Sequence, residues 1–178
     1  MQFRSSIRSS LFALVIGICW PILASAQTVP AGTAETITGK KIVLPDGVRG
    51  HVSIFIVGFS HKSKDLSDAW NKSIRQEFAQ DHQLQVYQVA HLEGAPGIMR
   101  GMIVSSIRKG VPPAQQENFL VLTEGQNAWK QWVGFSAPDD AYIVLVDKSG
   151  QSTWKTHGSF NDAALAELKK QVAQAESK

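Results

Sequence analysis

The chain has 178 residues, 43% hydrophobic and 19% charged, with a formal net charge of +3 and one cysteine, Cys19. A single domain of this length can bury an adequate core. The small net charge excludes nothing outright, but it gives no argument for nucleic acid as a partner. One cysteine leaves no internal disulfide.

Residues 1–26 have the three parts of a secretory signal peptide. Arg4 and Arg8 supply a positive start, and residues 11–23 form an apolar segment that is short for a membrane span. Ala24-Ser25-Ala26 is a small-residue cleavage site. We therefore predict a periplasmic or secreted protein that begins at Gln27.

Cleavage near Ala26 removes two cations and no acid, so it lowers the formal net charge from +3 to +1. It also removes Cys19, and the mature chain then has no thiol and no stable membrane anchor. One alternative is an uncleaved N-terminal anchor. Another is a lipid on Cys19, although Ile18 stands where lipoprotein signals have a small residue.

The elements that follow predict one domain. Residues 27–34 are small and polar and predict a flexible leader, and residues 35–178 form the folded domain. Residues 36–44 predict a short hairpin about Gly39. Four later segments predict strands: 51–59, 84–92, 118–123 and the hairpin 142–157. Helices are predicted between and after them: 63–79, 96–109, 127–133 and a final helix capped by Asn161.

Two of these helices carry apolar stripes. In the first, Leu66, Trp70, Ile74 and Phe78 recur every four residues and should face the core. In the second, the apolar positions predict an inward face. They are Ile98, Met99, Met102, Ile103 and Ile107.

Alternating strands and helices followed by a hairpin predict an α/β protein. Its parallel strands require right-handed crossovers, and the hairpin adds antiparallel strands. The architecture is a mixed central sheet with helices on both faces, which is the thioredoxin-like three-layer fold.

The segments HVSIFIVGF and YIVLVDKSGQSTWKTHG resemble the two halves of thioredoxin-like and peroxiredoxin-like proteins. More narrowly, the stretch from RGMIVSSIRKG to this hairpin is similar to two cysteine-poor groups. One is the mitochondrial ATP-synthase assembly factor family, and the other is a set of small periplasmic thioredoxin-like proteins of unknown role.

This chain departs from the redox members of the superfamily at both halves of their thiol site. Those members place C-x-x-C after the first core strand, where a helix N-terminus stabilises the thiolate. Here the loop reads Ser60-His61-Lys62-Ser63. The redox members also have a cis-proline before the strand that YIVLVD resembles, and Ala141 lies near that position. We therefore expect no thiol oxidoreductase or peroxidase activity.

The remaining chemistry of the sequence is weak. The five histidines show no metal-ligand spacing, so we predict no metal and no cofactor. Ser60 and Ser63 beside His61 suggest a nucleophile and a base, but no orienting acid or G-x-S-x-G motif accompanies them. We read Ser63 instead as the N-cap of the following helix.

The resemblance implies where a partner would bind. In this fold the loop after the first core strand faces the loop before the hairpin, which brings Ser60, His61, Lys62 and Ser63 towards Asp139 and Asp140. Trp154 is a further candidate, either as an interaction anchor or as sheet packing.

Two functions remain open at this stage. The first is a redox-inactive protein-binding or assembly factor, chaperone-like, whose partner is a segment of an exported or membrane protein and not nucleic acid. The second is an enzyme or small-ligand-binding protein that uses the polar loop 60–63. The sequence leaves the oligomeric state open.

Overall fold

A computed structural model describes residues 27–177, so the predicted signal peptide and its cleavage site lie outside the described residues. The strands are β1 Gly32–Thr36, β2 Lys41–Leu44, β3 Ser53–Gly58, β4 Gln85–His91, β5 Phe119–Leu122, β6 Ala141–Val146 and β7 Ser152–His157. The helices are α1 Lys64–Glu77, α2 Gly97–Gly110, α3 Gln126–Val133 and α4 Asp162–Glu176.

The strands form one mixed sheet in the order β2-β1-β5-β4-β3-β6-β7. Strands β3, β4 and β5 are parallel, and β6 and β7 add to them in antiparallel pairs. The central strands β3 and β6 are buried along almost their whole length, because helices cover both faces of the sheet. The predicted α/β thioredoxin-like architecture is confirmed.

Two apolar layers lie on opposite faces of this sheet. On one face α1 and α4 pack over Ile54, Ile56 and Ile143. On the other face α3 packs its two tryptophans against Phe55. The predicted stripe of α1 is confirmed, with Trp70 and Ile74 fully buried. The Asn161 side chain accepts a hydrogen bond from the Ala164 N–H at 2.8 Å, and so caps α4 as predicted.

The predicted flexible leader, residues 27–34, is instead part of the fold. Thr28 forms a β-bridge with Gln151, and the side chain of Val29 is buried in the core. The last three residues of this segment begin strand β1, Gly32–Thr36, which pairs with β2 on one side and with β5 on the other. A strand with so few large apolar residues is stabilised by two neighbouring strands, a tertiary effect that small polar composition does not reveal.

The predicted inward face of α2 is wrong in its first half. Ile98 is 92% exposed, Met102 68% and Met99 45%, and no residue of α2 is fully buried. The residues that contact the sheet are Ile103, Val104 and Ile107. Within residues 27–177 no helix is both long and apolar enough to cross a membrane.

Candidate functional site

Two loops meet at one edge of the sheet, and together they define the candidate site. Strands β3 and β6 are antiparallel, and the last residue of β3, Gly58, pairs with the first residue of β6, Ala141. The loop that leaves β3 and the loop that enters β6 must therefore be neighbours. This confirms that residues 60–63 lie next to residues 139–140.

Ser60 links the two loops. Its hydroxyl donates a hydrogen bond to Asp139 Oδ1 at 2.8 Å, and it accepts the N–H groups of Lys62 and Ser63 at 3.1 Å each. Lys62 Nζ lies 3.8 Å from Asp139 Oδ2. The two predicted loops are therefore joined, with Asp139 as the shared acceptor of Ser60 and Lys62.

Ser63 stands at the N-cap position of α1, but its side chain does not cap the helix. Its hydroxyl donates to the Ser60 carbonyl at 2.8 Å, so the predicted capping bond is wrong. The side chain that accepts N–H groups at this helix start is Ser60. A Cβ on Gly58 would lie 2.6 Å from Ser63 Oγ, so a larger residue there would displace the Ser63 side chain from its bond to Ser60.

Asp140 points towards a different partner. Its Oδ2 lies 2.7 Å from His157 Nδ1, and the His157 ring stacks on Tyr142. The Tyr142 hydroxyl accepts the N–H groups of Ser136 and Ala137 and donates to the Ala137 carbonyl. These bonds fix the loop that carries Asp139 and Asp140, and they add His157 to the site, which sequence reasoning did not single out.

The other predicted residues divide into two groups. His61 is exposed beside Lys62, and among the described residues no group bonds to its ring. Trp154, by contrast, lies opposite Leu145 in the hairpin and packs on the apolar layer under α1 and α4. Trp154 therefore lies apart from the six loop residues. It has the second of the two roles proposed for it, which is packing on the sheet.

An aromatic floor lies under the two loops and was missed at the sequence level. Phe59 stacks on His91 with the ring centroids 4.8 Å apart, and it forms T-shaped pairs with Phe135 and Tyr142. Trp129 makes an edge-type contact with His91, with the ring centroids 5.5 Å apart. The only sequence clue was a histidine at the end of a strand, next to the apolar residues Val89 and Ala90.

His91 in this floor is 92% buried, and neither of its ring nitrogens has a hydrogen-bond partner in the described part of the chain. Burial, reinforced by the nearby charge of Lys130, lowers the pKa of His91 to about 4. The ring is therefore neutral at physiological pH.

The chemistry available at the site is limited. Residues 27–177 contain no cysteine. Ser60 already makes three hydrogen bonds, and no histidine bonds to it as a base would. The peptide before Ala141 is trans, since the one cis bond in residues 27–177 joins Leu44 to Pro45. In the same residues no cluster of three His, Cys, Asp or Glu side chains could hold a metal.

Comparison with known families identifies the chain. The model of the ATP10 protein family matches residues 22–174, nearly the entire described region. The chain belongs to the ATP10 protein family. This confirms the resemblance to the ATP-synthase assembly factors. No curated protein matches the chain.

Solved structures place this ATP10-family protein in the thioredoxin-like fold. BsSco, a member of the Sco family of cytochrome c oxidase assembly proteins, has a TM-score of 0.58 at 13% identity, over 84% of this chain and 95% of its own. The exposed lipoprotein thioredoxin Etrx1 from Streptococcus pneumoniae strain TIGR4 has a TM-score of 0.53 at 20% identity, over 79% of this chain and 99% of its own. A thiol-disulfide oxidoreductase from Bacteroides fragilis has a TM-score of 0.55 at 10% identity, over 82% of this chain and 99% of its own.

Proposed function

We propose that this protein is an exported, redox-inactive assembly factor that holds a segment of another exported or membrane protein without covalent chemistry. Membership of the ATP10 family supports an assembly role. The observation that carries the proposal is the replacement of the thiol loop by Ser60–Ser63, which Ser60 ties to Asp139. The two loops meet at the edge where the redox members have their thiol site, but residues 60–63 contain no group able to form a disulfide.

The exposed chemistry of this edge suits a polar, extended peptide. His61 and Lys62 project from one loop, and the side chain of Lys62 is 81% exposed. Asp140 and His157 stand on the opposite side. Cationic and anionic groups on facing loops can bind the charges of a partner and fix its direction, and contacts of this kind contribute more to specificity than to affinity.

The first test is capture of partners from the native host with the tagged protein, read by mass spectrometry. We expect the His61→Ala/Lys62→Glu variant to recover the specific partners at least several-fold less well at equal folded concentration. The matched control is Lys72→Glu, an exposed lysine on α1, which should behave as the parent. Both changes are on the surface and should leave stability within about 0.5 kcal/mol. Unchanged recovery by the double variant would place the binding surface elsewhere.

The second test addresses the absence of redox chemistry. The purified mature protein should give no turnover in insulin reduction or in a peroxide assay, because it has no sulfur nucleophile. Turnover that survives purification, and that is lost in Ser60→Ala or His61→Ala, would favour an enzyme that uses the polar loop.

The third test addresses the compartment. Intact-mass analysis of periplasmic or secreted material should give a chain that begins at Gln27, or its pyroglutamate form. Such a protein cannot reach the catalytic head of a bacterial ATP synthase, which faces the cytoplasm, so a membrane client would be met from the outer side. A mass that retains residues 1–26 would contradict the proposed export.

A further inference from the structure

The exposed half of α2 is the least expected surface of this molecule. Three long apolar side chains, Ile98, Met99 and Met102, stand in solvent within the first two turns of the helix. Single exposed apolar residues are ordinary, but neighbouring ones that a fold leaves uncovered mark an interaction surface. This surface lies outside the loops of the proposed function.

This surface is a ridge and not a groove. No residue of α2 is fully buried, and Ile98 is 92% exposed, so the helix stands out from the sheet at this end. Protein segments usually dock their apolar side chains into hydrophobic grooves. A protruding apolar helix face instead suits insertion between lipid headgroups. The shape therefore favours a bilayer over a protein segment.

The charged residues of α2 indicate which lipid headgroups the ridge would meet. Residues 94–116 contain three cations, Arg100, Arg108 and Lys109, and no acid. Arg108, in the last turn of α2, donates a hydrogen bond to the Ile37 carbonyl at 2.6 Å, so the C-terminal end of the helix lies against the turn that leads to Lys40. Basic side chains beside an apolar face are attracted to anionic lipid headgroups.

The acids that flank this region are already engaged. Glu93 precedes α2, and its carboxylate accepts the Gln126 N–H at 2.7 Å. Glu117 follows α2 and accepts the hydroxyl of Thr38 at 2.6 Å. Neither acid lies within α2 itself. Arg100 and Arg108 donate only to backbone carbonyls, and in residues 27–177 no carboxylate forms an ion pair with them or with Lys109, so their charges remain available to an external anion.

We propose that α2 docks this protein on an anionic phospholipid surface. Ile98, Met99 and Met102 enter the boundary between headgroups and acyl chains. Lys109 and Arg108 lie over the lipid phosphates. Docking of this kind is reversible, because three side chains bury little area compared with a spanning helix.

The direct test is sedimentation of the protein with vesicles of phosphatidylglycerol and phosphatidylcholine in equal parts. Binding should occur, weaken with added salt and be absent on phosphatidylcholine alone. The Ile98→Ser/Met102→Ser variant should bind at least about tenfold more weakly, because each serine removes an apolar side chain whose transfer from water into the bilayer stabilises the bound state. Val43→Ser is the matched control, because Val43 is a 60% exposed apolar residue of β2 and not of α2, and this variant should bind as the parent.

A second measurement covers the case in which the double variant misfolds. Met99→Trp should show a blue shift of tryptophan emission with the anionic vesicles, and Val43→Trp should show none. Absence of vesicle binding by the parent, or equal shifts at the two positions, would overturn the proposal. So would protein concentration-dependent dimerisation abolished by Ile98→Ser/Met102→Ser without any lipid binding, since a second copy would then cover the ridge.

Discussion

Helices α1 and α2 have the same length, fourteen residues, and their sequences both predict an apolar face that packs on the sheet. Their fates differ. Helix α1 buries Trp70 and Ile74 completely, whereas α2 buries no residue completely and exposes Ile98 and Met102. Both apolar stripes correctly predict a helix, but only the stripe of α1 is buried. An apolar stripe in the sequence therefore predicts a helix without showing whether another element covers it.

The cause lies in the position of each helix over the sheet. Helix α1 lies over the central strands, and α4 on the same face completes its apolar surroundings. Helix α2 packs near the β5 side on a small cluster formed by Ile37, Leu92 and Phe119. Ile103 and Ile107 pack against that cluster, whereas Ile98 and Met102 in the first turns of the helix lie outside it. The surplus apolar residues are therefore free for a role other than folding.

The largest expected effect separates the two helices by stability. Trp70→Ala should lower the free energy of unfolding by about 3–5 kcal/mol, as is usual when a buried aromatic is truncated. It also removes the bond from Trp70 Nε1 to the Gly158 carbonyl. Urea denaturation measures the change, with Ile98→Ala in α2 as the matched variant. Equal losses in the two helices would mean that the comparison is wrong.

The second effect concerns pH and the aromatic floor. Because burial lowers the pKa of His91 to about 4, while an unfolded histidine titrates near 6.5, the unfolded chain binds the proton more tightly. The contribution of neutral His91 to the free energy of unfolding is fully present above pH 6.5. It falls by about 3 kcal/mol as the pH drops from 6.5 towards 4. His91→Phe should remove this component of the pH dependence. Parallel pH profiles for parent and variant would contradict the assignment.

A smaller effect tests the joined loops. Ser60→Ala removes the bond to Asp139 and the acceptor at the start of α1. The expected loss is about 1 kcal/mol, the usual value for a capping side chain. Hydrogen exchange of the Lys62 and Ser63 amides should accelerate. Ser106→Ala, an exposed serine of α2, is the control and should leave both quantities unchanged.

The smallest effect is at the ridge itself. Met102→Ser should change the free energy of unfolding by no more than about 0.5 kcal/mol in the absence of lipid, because the side chain is already in water. Thermal melting in detergent-free buffer measures it. A loss of 2 kcal/mol or more, on the order of a buried-residue effect, would show that Met102 is covered in solution.

The sequence predicts most of what pairing rules and periodicity control. The doubly apolar β3 and β6 predict the centre of the sheet, and the topology then places Ser60 beside Asp139. Three features depend on tertiary context instead. Residues 27–34 pair with neighbouring strands that their own composition does not predict, and Ile98 is exposed because it lies outside the cluster on which α2 packs. His91 belongs to a site only because Phe59 and Trp129 close on it from other elements.

The central claim, that the loop 60–63 holds a protein partner without a thiol, is tested most directly by site-specific photo-crosslinking in the native host. A photoreactive residue replaces His61 in one strain and Lys72, an exposed position on α1, in another. We predict a discrete adduct with an exported or membrane protein from position 61 and none from position 72. No adduct at 61, or the same adducts at both positions, would contradict the account.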